Sequence, residues 1–171
     1  MTRATNEEAA MANAEQGLEQ RLRRIEDQLA IYQIISAYSA AADSSNIEIM
    51  RKLWHEDCEL EIVGHGTFRG HQGIAQVLAG KYHQMLVTNG SGHATSLPHI
   101  EVAGDRASAT VFSMLFLYRD GDFILERLAA ARWEFVRAEG GSWRILKRTT
   151  EPMFGANANA KALLERVLEA P

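Results

Sequence analysis

The stretch RASATVFSMLFLYRDGDFILERLAAARWEFV, residues 106–136, decides the fold. It contains two long runs rich in β-branched and aromatic side chains, Arg106 to Tyr118 and Phe123 to Val136, joined through Asp120-Gly121-Asp122, a link suited to an antiparallel hairpin. The same arrangement repeats on both sides. His93 to Val102 leads in through Ala103-Gly104-Asp105, and Trp143 to Thr150 follows Glu139-Gly140-Gly141. The sequence therefore predicts a four-stranded antiparallel meander. Val111, Leu115 and Leu117 alternate with Phe112, Met114 and Phe116, so both faces of the sheet are apolar and both need cover. One face can pack on helices and line a cavity. The other predicts association with a second copy into a homodimer, the alternative being a monomer whose own chain covers the sheet.

N-terminal to the meander the periodicity is helical. Leu22, Ile25, Leu29 and Tyr32 recur every three or four residues from Leu18 onward, and Ile35, Tyr38 and Ala42 continue the stripe. Residues 1–17 lack such periodicity and read as a flexible or loosely helical tail. Asp43-Ser44-Ser45-Asn46 breaks the helix, and Ser45 with Glu48 has the form of a capping box for a short second helix ending near Trp54. Cys58 to Val63 and Thr67 to Arg69, separated by glycines, predict a hairpin, and His71 to Leu86 returns to helical spacing. A last helix is expected over Asn157 to Glu169, within a C-terminal extension of residues 152–171. Helices first and strands after them give an α+β domain over residues 18–151, with a curved, mostly antiparallel sheet against N-terminal helices.

Composition narrows the function. An apolar share of 46% with 23% charged residues is that of a globular domain. The net charge of −4 is spread without a Lys/Arg run, which argues against a nucleic-acid partner. Cys58 is the only cysteine, so neither an intrachain disulfide nor a cysteine-rich zinc site is expected, and a reducing, cytoplasmic setting is the simplest expectation. The N-terminus lacks the basic start and apolar stretch of an export signal, and the apolar runs are far short of the ~20 residues that span a bilayer, so no membrane partner is expected. Gly64-His65-Gly66 lacks the Gly-Lys-Ser/Thr of a phosphate loop, Gly-x-Ser-x-Gly is absent, and the acidic run Glu56 to Glu61 reads as a solvated strand edge. No cofactor and no metal are expected.

Asp43 stands out because a carboxylate at the C-terminal end of a helix meets the unfavourable end of the helix dipole. Its ordinary explanation, an N-cap, is redundant if Ser45 caps the next helix. Tyr38, little more than a turn earlier, can point into the same space. His93 opens a strand after Gly90-Ser91-Gly92, where glycines permit close approach of another group. A carboxylate beside a neutral imidazole fixes its tautomer and stabilises the imidazolium that forms when the ring takes a proton. Taken singly, each residue is more often structural than functional. Arg132, in step with Leu128 and Ala130, must find an anion. It either orients Asp43 or a substrate oxygen, or forms a strand-end ion pair with Glu134 or Glu126. Trp54, Trp133 and Trp143 read as core, with a pocket wall as a second role. His65, His71, His83 and His99 read as surface or structural.

These residues carry a resemblance. From Leu18 to Glu151 the chain resembles the SnoaL-like branch of the nuclear transport factor 2-like superfamily, on the helical stripe ending at Asp43, Leu53-Trp54-His55-Glu56-Asp57-Cys58, Gly66-Thr67-Phe68-Arg69-Gly70, His93, Trp133-Glu134-Phe135 and Trp143-Arg144-Ile145. The resemblance implies a cone-shaped α+β barrel with a curved mixed sheet. Within that branch the pattern is similar to scytalone dehydratase, hexachlorocyclohexane dehydrochlorinase and bile-acid 7α-dehydratase, which use an Asp/His pair. It implies that His93 takes a proton from carbon while Asp43 orients it, that Tyr38 assists a leaving oxygen, and that Arg132 matches an inner-strand arginine. The second active-site histidine of scytalone dehydratase has no match, so substrate identity does not carry over. The expected function is a lyase or isomerase acting without a cofactor on a hydrophobic cyclic small molecule. The alternative is a non-catalytic binding or assembly module of the same fold, such as an oxygenase small subunit.

Overall fold

The computed structural model describes the backbone of residues 2–168 and the side chains of residues 11–168. Helix α1 spans Thr2–Asp43 and α2 Ile47–Leu53; they lead into a hairpin of β1, Trp54–Ile62, and β2, Gly66–Arg69. Two short helices follow, α3 (Gly70–Ala79) and α4 (Lys81–Asn89), broken at Gly80. The meander then runs through β3 (Ser91–Thr95), β4 (His99–Ala103), β5 (Arg106–Arg119), β6 (Asp122–Arg137) and β7 (Trp143–Pro152), before α5 (Ala158–Glu165) and a 3-10 turn to Leu168. None of the described helices is long and apolar enough to cross a membrane.

The seven strands form one open sheet in the order β2-β1-β7-β6-β5-β3, with β4 also paired to β5. Only the β1–β7 pair is parallel, so the sheet is mixed and mostly antiparallel. The expected strand from His93 to Val102 is two strands, because the chain leaves the ladder at Ser96-Leu97-Pro98 and rejoins it with His99 opposite Thr110. Proline has no N–H to donate to a ladder. Two bulges interrupt the long antiparallel ladders. One residue, Glu126, is extra between the β5–β6 pairs Phe116/Leu125 and Leu115/Arg127, and another, Leu146, is extra between the β6–β7 pairs Phe135/Ile145 and Glu134/Lys147.

The core lies between the concave face of the sheet and the helices. Ile31, Ile35, Tyr38 and Ala41 of α1 pack with Met50, Trp54, Leu60, Ile74, Val111, Trp133, Phe135 and Ile145. Asp27 pins the entering helix, accepting from Trp143 Nε1 at 2.9 Å and from Arg137 Nη2 at 2.8 Å. The expected helical stripe needs correction in its first half: Leu18, Leu22, Ile25 and Leu29 are more than half exposed. Burial begins at Asp27 and Ile31, on a different face. The helix runs on through residues 2–17, where a flexible or loosely helical tail was expected, and from Met11 to Glu26 its residues are exposed apart from a partly buried Gly17.

The convex face is divided. On β1, β7 and part of β6 it carries charge, with Glu59 bonded to Lys147 at 2.7 Å and Lys147 also 3.6 Å from Glu61. On the β5–β6 hairpin it carries Phe112, Tyr118, Phe123, Leu125 and Leu128, all substantially exposed.

Candidate functional site

The site begins at the end of α1. Asn46 N–H bonds to Ala41 O at 2.8 Å and Ser45 N–H to Ala42 O at 3.0 Å, a double closure that requires Ser45 in the left-handed region at φ 51°. Ser45 is thus the helix terminator. The N-cap of α2 is Asn46, whose side chain accepts from Ile49 N–H at 3.0 Å, one residue later than the expected capping box. Asp43 is free of any capping duty and turns toward β3.

The carboxylate of Asp43 holds His93 twice. Oδ2 accepts the backbone N–H of His93 at 2.7 Å and Oδ1 faces ring Nδ1 at 2.6 Å. With Nδ1–H as the donor, Nε2 is the free ring nitrogen, and His93 lines the cavity. Burial pushes the Asp43 carboxyl upward, but the side-chain and backbone hydrogen bonds from His93 outweigh it and hold the group below its usual value, so Asp43 is a carboxylate. Gly90, at φ 94°, lets α4 turn into β3, and a Cβ there would meet Tyr118 at 3.2 Å.

His83 of α4 is buried, and its Nε2 bonds to Ala42 O at 3.0 Å, satisfying a last-turn carbonyl of α1. Burial lowers its pKa from the ordinary value, with the Ala42 bond opposing. A neutral ring donating Nε2–H fits both facts.

The cavity measures about 270 Å³, near the lower end of the ~300–1,000 Å³ usual for ligand sites. Its walls are largely apolar, including Leu60, Phe68, Ile74 and Leu86, with Tyr38, His83 and His93 among them. Arg127 and Arg148 also face it. Arg148, 3% exposed, lies 4.7 Å over the Trp133 ring and 5.1 Å from that of Tyr38, and donates from Nη2 to Ser113 Oγ at 3.1 Å. Burial lowers its pKa from the ordinary arginine value, Tyr38 opposes this, and the nearby Arg127 charge adds to it. A guanidinium nonetheless stays protonated in proteins.

Of the residues expected from sequence, Asp43, His93 and Tyr38 come together. Trp54 is 1% exposed and stands edge-on behind Tyr38, 6.1 Å between ring centroids, supporting the wall from inside the core. Arg132 does not join them. It shares the convex face with Leu128 and Ala130 and reaches Thr110 Oγ1 at 3.4 Å and Glu101 at 3.9 Å. The arginines that enter the cavity, Arg127 and Arg148, were not apparent from sequence, nor was His83. No local signal gives the arginines away, because each faces inward only through the bulge that precedes it: regular alternation from Ile124 would turn Glu126 inward, and from Ile145 it would turn Lys147 inward.

Residues 23–149 match the sequence profile of the SnoaL-like domain family. An NTF2-like protein with a cystatin-like fold from Novosphingobium aromaticivorans is 37% identical, superimposes with a TM-score of 0.81, and is matched over 86% of this chain and 94% of its own. The fold is shared by LinA, at 23% identity and TM-score 0.69 over 78% of this chain and 90% of that one. It is also shared by the hexachlorocyclohexane dehydrochlorinase LinA-type3 of Novosphingobium barchaimii, at 20% identity and TM-score 0.68 over 78% and 91%. Comparison with curated proteins gives no match.

Proposed function

Because the chain belongs to the SnoaL-like domain family, we propose that its cavity catalyses an elimination or isomerisation on a hydrophobic cyclic small molecule, without a cofactor. The observation that carries this reading is the two-point clamp of Asp43 on His93, at 2.6 and 2.7 Å, which leaves Nε2 as the free ring nitrogen of a residue lining a largely apolar cavity. His93 Nε2 takes a proton from a substrate carbon, and Asp43 stabilises the imidazolium that results. Charge then develops on a substrate oxygen, which Arg148 meets, while Tyr38 stands beside it to aid a departing hydroxyl. Elimination returns the proton to the leaving group; isomerisation returns it to another carbon.

Two measurements test the reading. In 15N-edited NMR, wild type should show a downfield, slowly exchanging imidazole N–H from His93 that is absent in His93→Gln and altered in Asp43→Asn. In a screen of hydroxylated and halogenated cyclic compounds for new conjugated absorbance, turnover by wild type should fall about 10²–10⁴-fold in each variant. Unchanged turnover in both variants would refute the Asp43–His93 assignment.

The same chain is proposed to form a homodimer through the β5–β6 hairpin, where Phe112, Phe123, Leu125 and Leu128 form an uncovered apolar surface. Size-exclusion with light scattering should give twice the chain mass, and Leu125→Glu should give the chain mass. A wild-type monomer at micromolar concentration refutes it.

A further inference from the structure

The cavity has an unbalanced charge. The chain has more acidic than basic residues, 22 against 18, yet no Asp or Glu lines the cavity, whereas Arg127, Arg148 and Lys81 do. Lys81 is exposed and screened by water. Arg148 is buried and Arg127 partly buried. Asp43, which holds the cavity-lining His93, has both oxygens committed to that residue. Arg148 spends one nitrogen on Ser113, and its Nε has no hydrogen-bond partner. Arg127 makes no hydrogen bond or ion pair with any described residue, and its Nε is buried without a partner. The Arg127 charge disfavours that of Arg148, so the cavity holds two cations that a ligand must compensate.

Both arginines reach the cavity by the same device. The bulge at Glu126 turns Arg127 into the cavity and leaves Glu126 near Arg119, at 3.5 Å, outside it. The bulge at Leu146 turns Arg148 inward and leaves Lys147 on the convex face with Glu59. In both strands the irregularity brings an arginine in and keeps a charged neighbour out.

We propose that the substrate is a hydrophobic carboxylic acid whose carboxylate is held by Arg127, leaving Arg148 for the oxygen that gains charge during reaction. The division of labour rests on the Asp43–His93 reading above; the carboxylate site does not. Two cations match one fixed carboxylate plus one developing oxyanion. The apolar walls formed by Leu60, Phe68, Ile74 and Leu86 take the ring, and a planar guanidinium fork suits a carboxylate.

Quenching of tryptophan fluorescence tests this, since Trp133 lies against Arg148. The probes are cyclohex-1-ene-1-carboxylate and its neutral carboxamide. Wild type should bind the acid at least about tenfold more tightly than the amide, the range of a charge-assisted pair. Arg127→Gln should remove that preference, and Arg127→Lys should restore part of it. Asp43→Asn should keep it, so failure of the acid–base reading and failure of the carboxylate site give different results. Equal affinity for acid and amide in wild type, no saturable binding of the acid, or an undiminished preference in Arg127→Gln would overturn the proposal. Should Arg127→Gln not fold, the wild-type acid-to-amide ratio and Arg127→Lys decide it.

Discussion

Arg132 and Arg148 lie on adjacent strands, Arg148 opposite Trp133 and Arg132 one residue before it, yet their surroundings have little in common. Arg148 is enclosed by Trp133, Tyr38 and Ser113 on the concave face. Arg132 lies on the convex face beside Thr110 and Glu101, its side chain 16% exposed. Burial alone does not separate a cavity arginine from a structural one; the parity of its position in the strand does. The same contrast holds for aromatic residues, with Trp133 at 0% exposure and Phe123 at 68% on opposite faces of β6.

The largest expected effect sets those aromatics apart. Trp133→Ala should cost about 3–5 kcal/mol of folding stability by urea denaturation, because it empties the space under Tyr38 and Phe135. Phe123→Ala should stay within about 0.5 kcal/mol at concentrations where the chain is monomeric. Next come the arginines. Arg148→Met should lower kcat about 10²–10³-fold with melting temperature unchanged or raised, since an unpaired buried charge is removed. Arg132→Met should leave turnover unaltered, and an equal loss in both variants would erase the distinction between the faces.

A smaller effect is expected with pH. The His83 pKa is lowered by folding, so the unfolded chain takes up a proton the folded one resists, and stability should decline as pH falls below about 6.5. The Asp43 pKa is also lowered, and its contribution, present above about 3.9, should be lost as pH falls through the folded value. Urea midpoints from pH 8 to pH 3 should fall in two stages. His83→Gln should flatten the first, and an unchanged first stage would remove His83 from the account.

What the sequence disclosed depended on the range of the signal. The hairpin around Asp120-Gly121-Asp122 and the helix ending at Asp43 follow from local punctuation, Asp43 and His93 stood out as residues needing partners, and their pairing was implied by the family resemblance. Arg132 was correctly aligned with Leu128 and Ala130, but periodicity assigns residues to a shared face without saying which face is concave. A bulge is set by how two strands of unequal path fit together, and neither Glu126 nor Leu146 carries a local mark of it. The exposed Leu18, Leu22, Ile25 and Leu29 have a complementary cause. Their spacing is helical, but burial depends on where the sheet ends, and the helix outruns it.

An extra residue in a strand bends it and increases its twist as well as reversing which side chains face in. On β6 and β7, the distortion that curves the sheet around the cavity is therefore the one that delivers an arginine to it. Hollow and charge are not independent traits in this molecule: on β6, a change in strand length that flattened the wall would put Glu126 where Arg127 now faces in and reverse the sign of what lines it there.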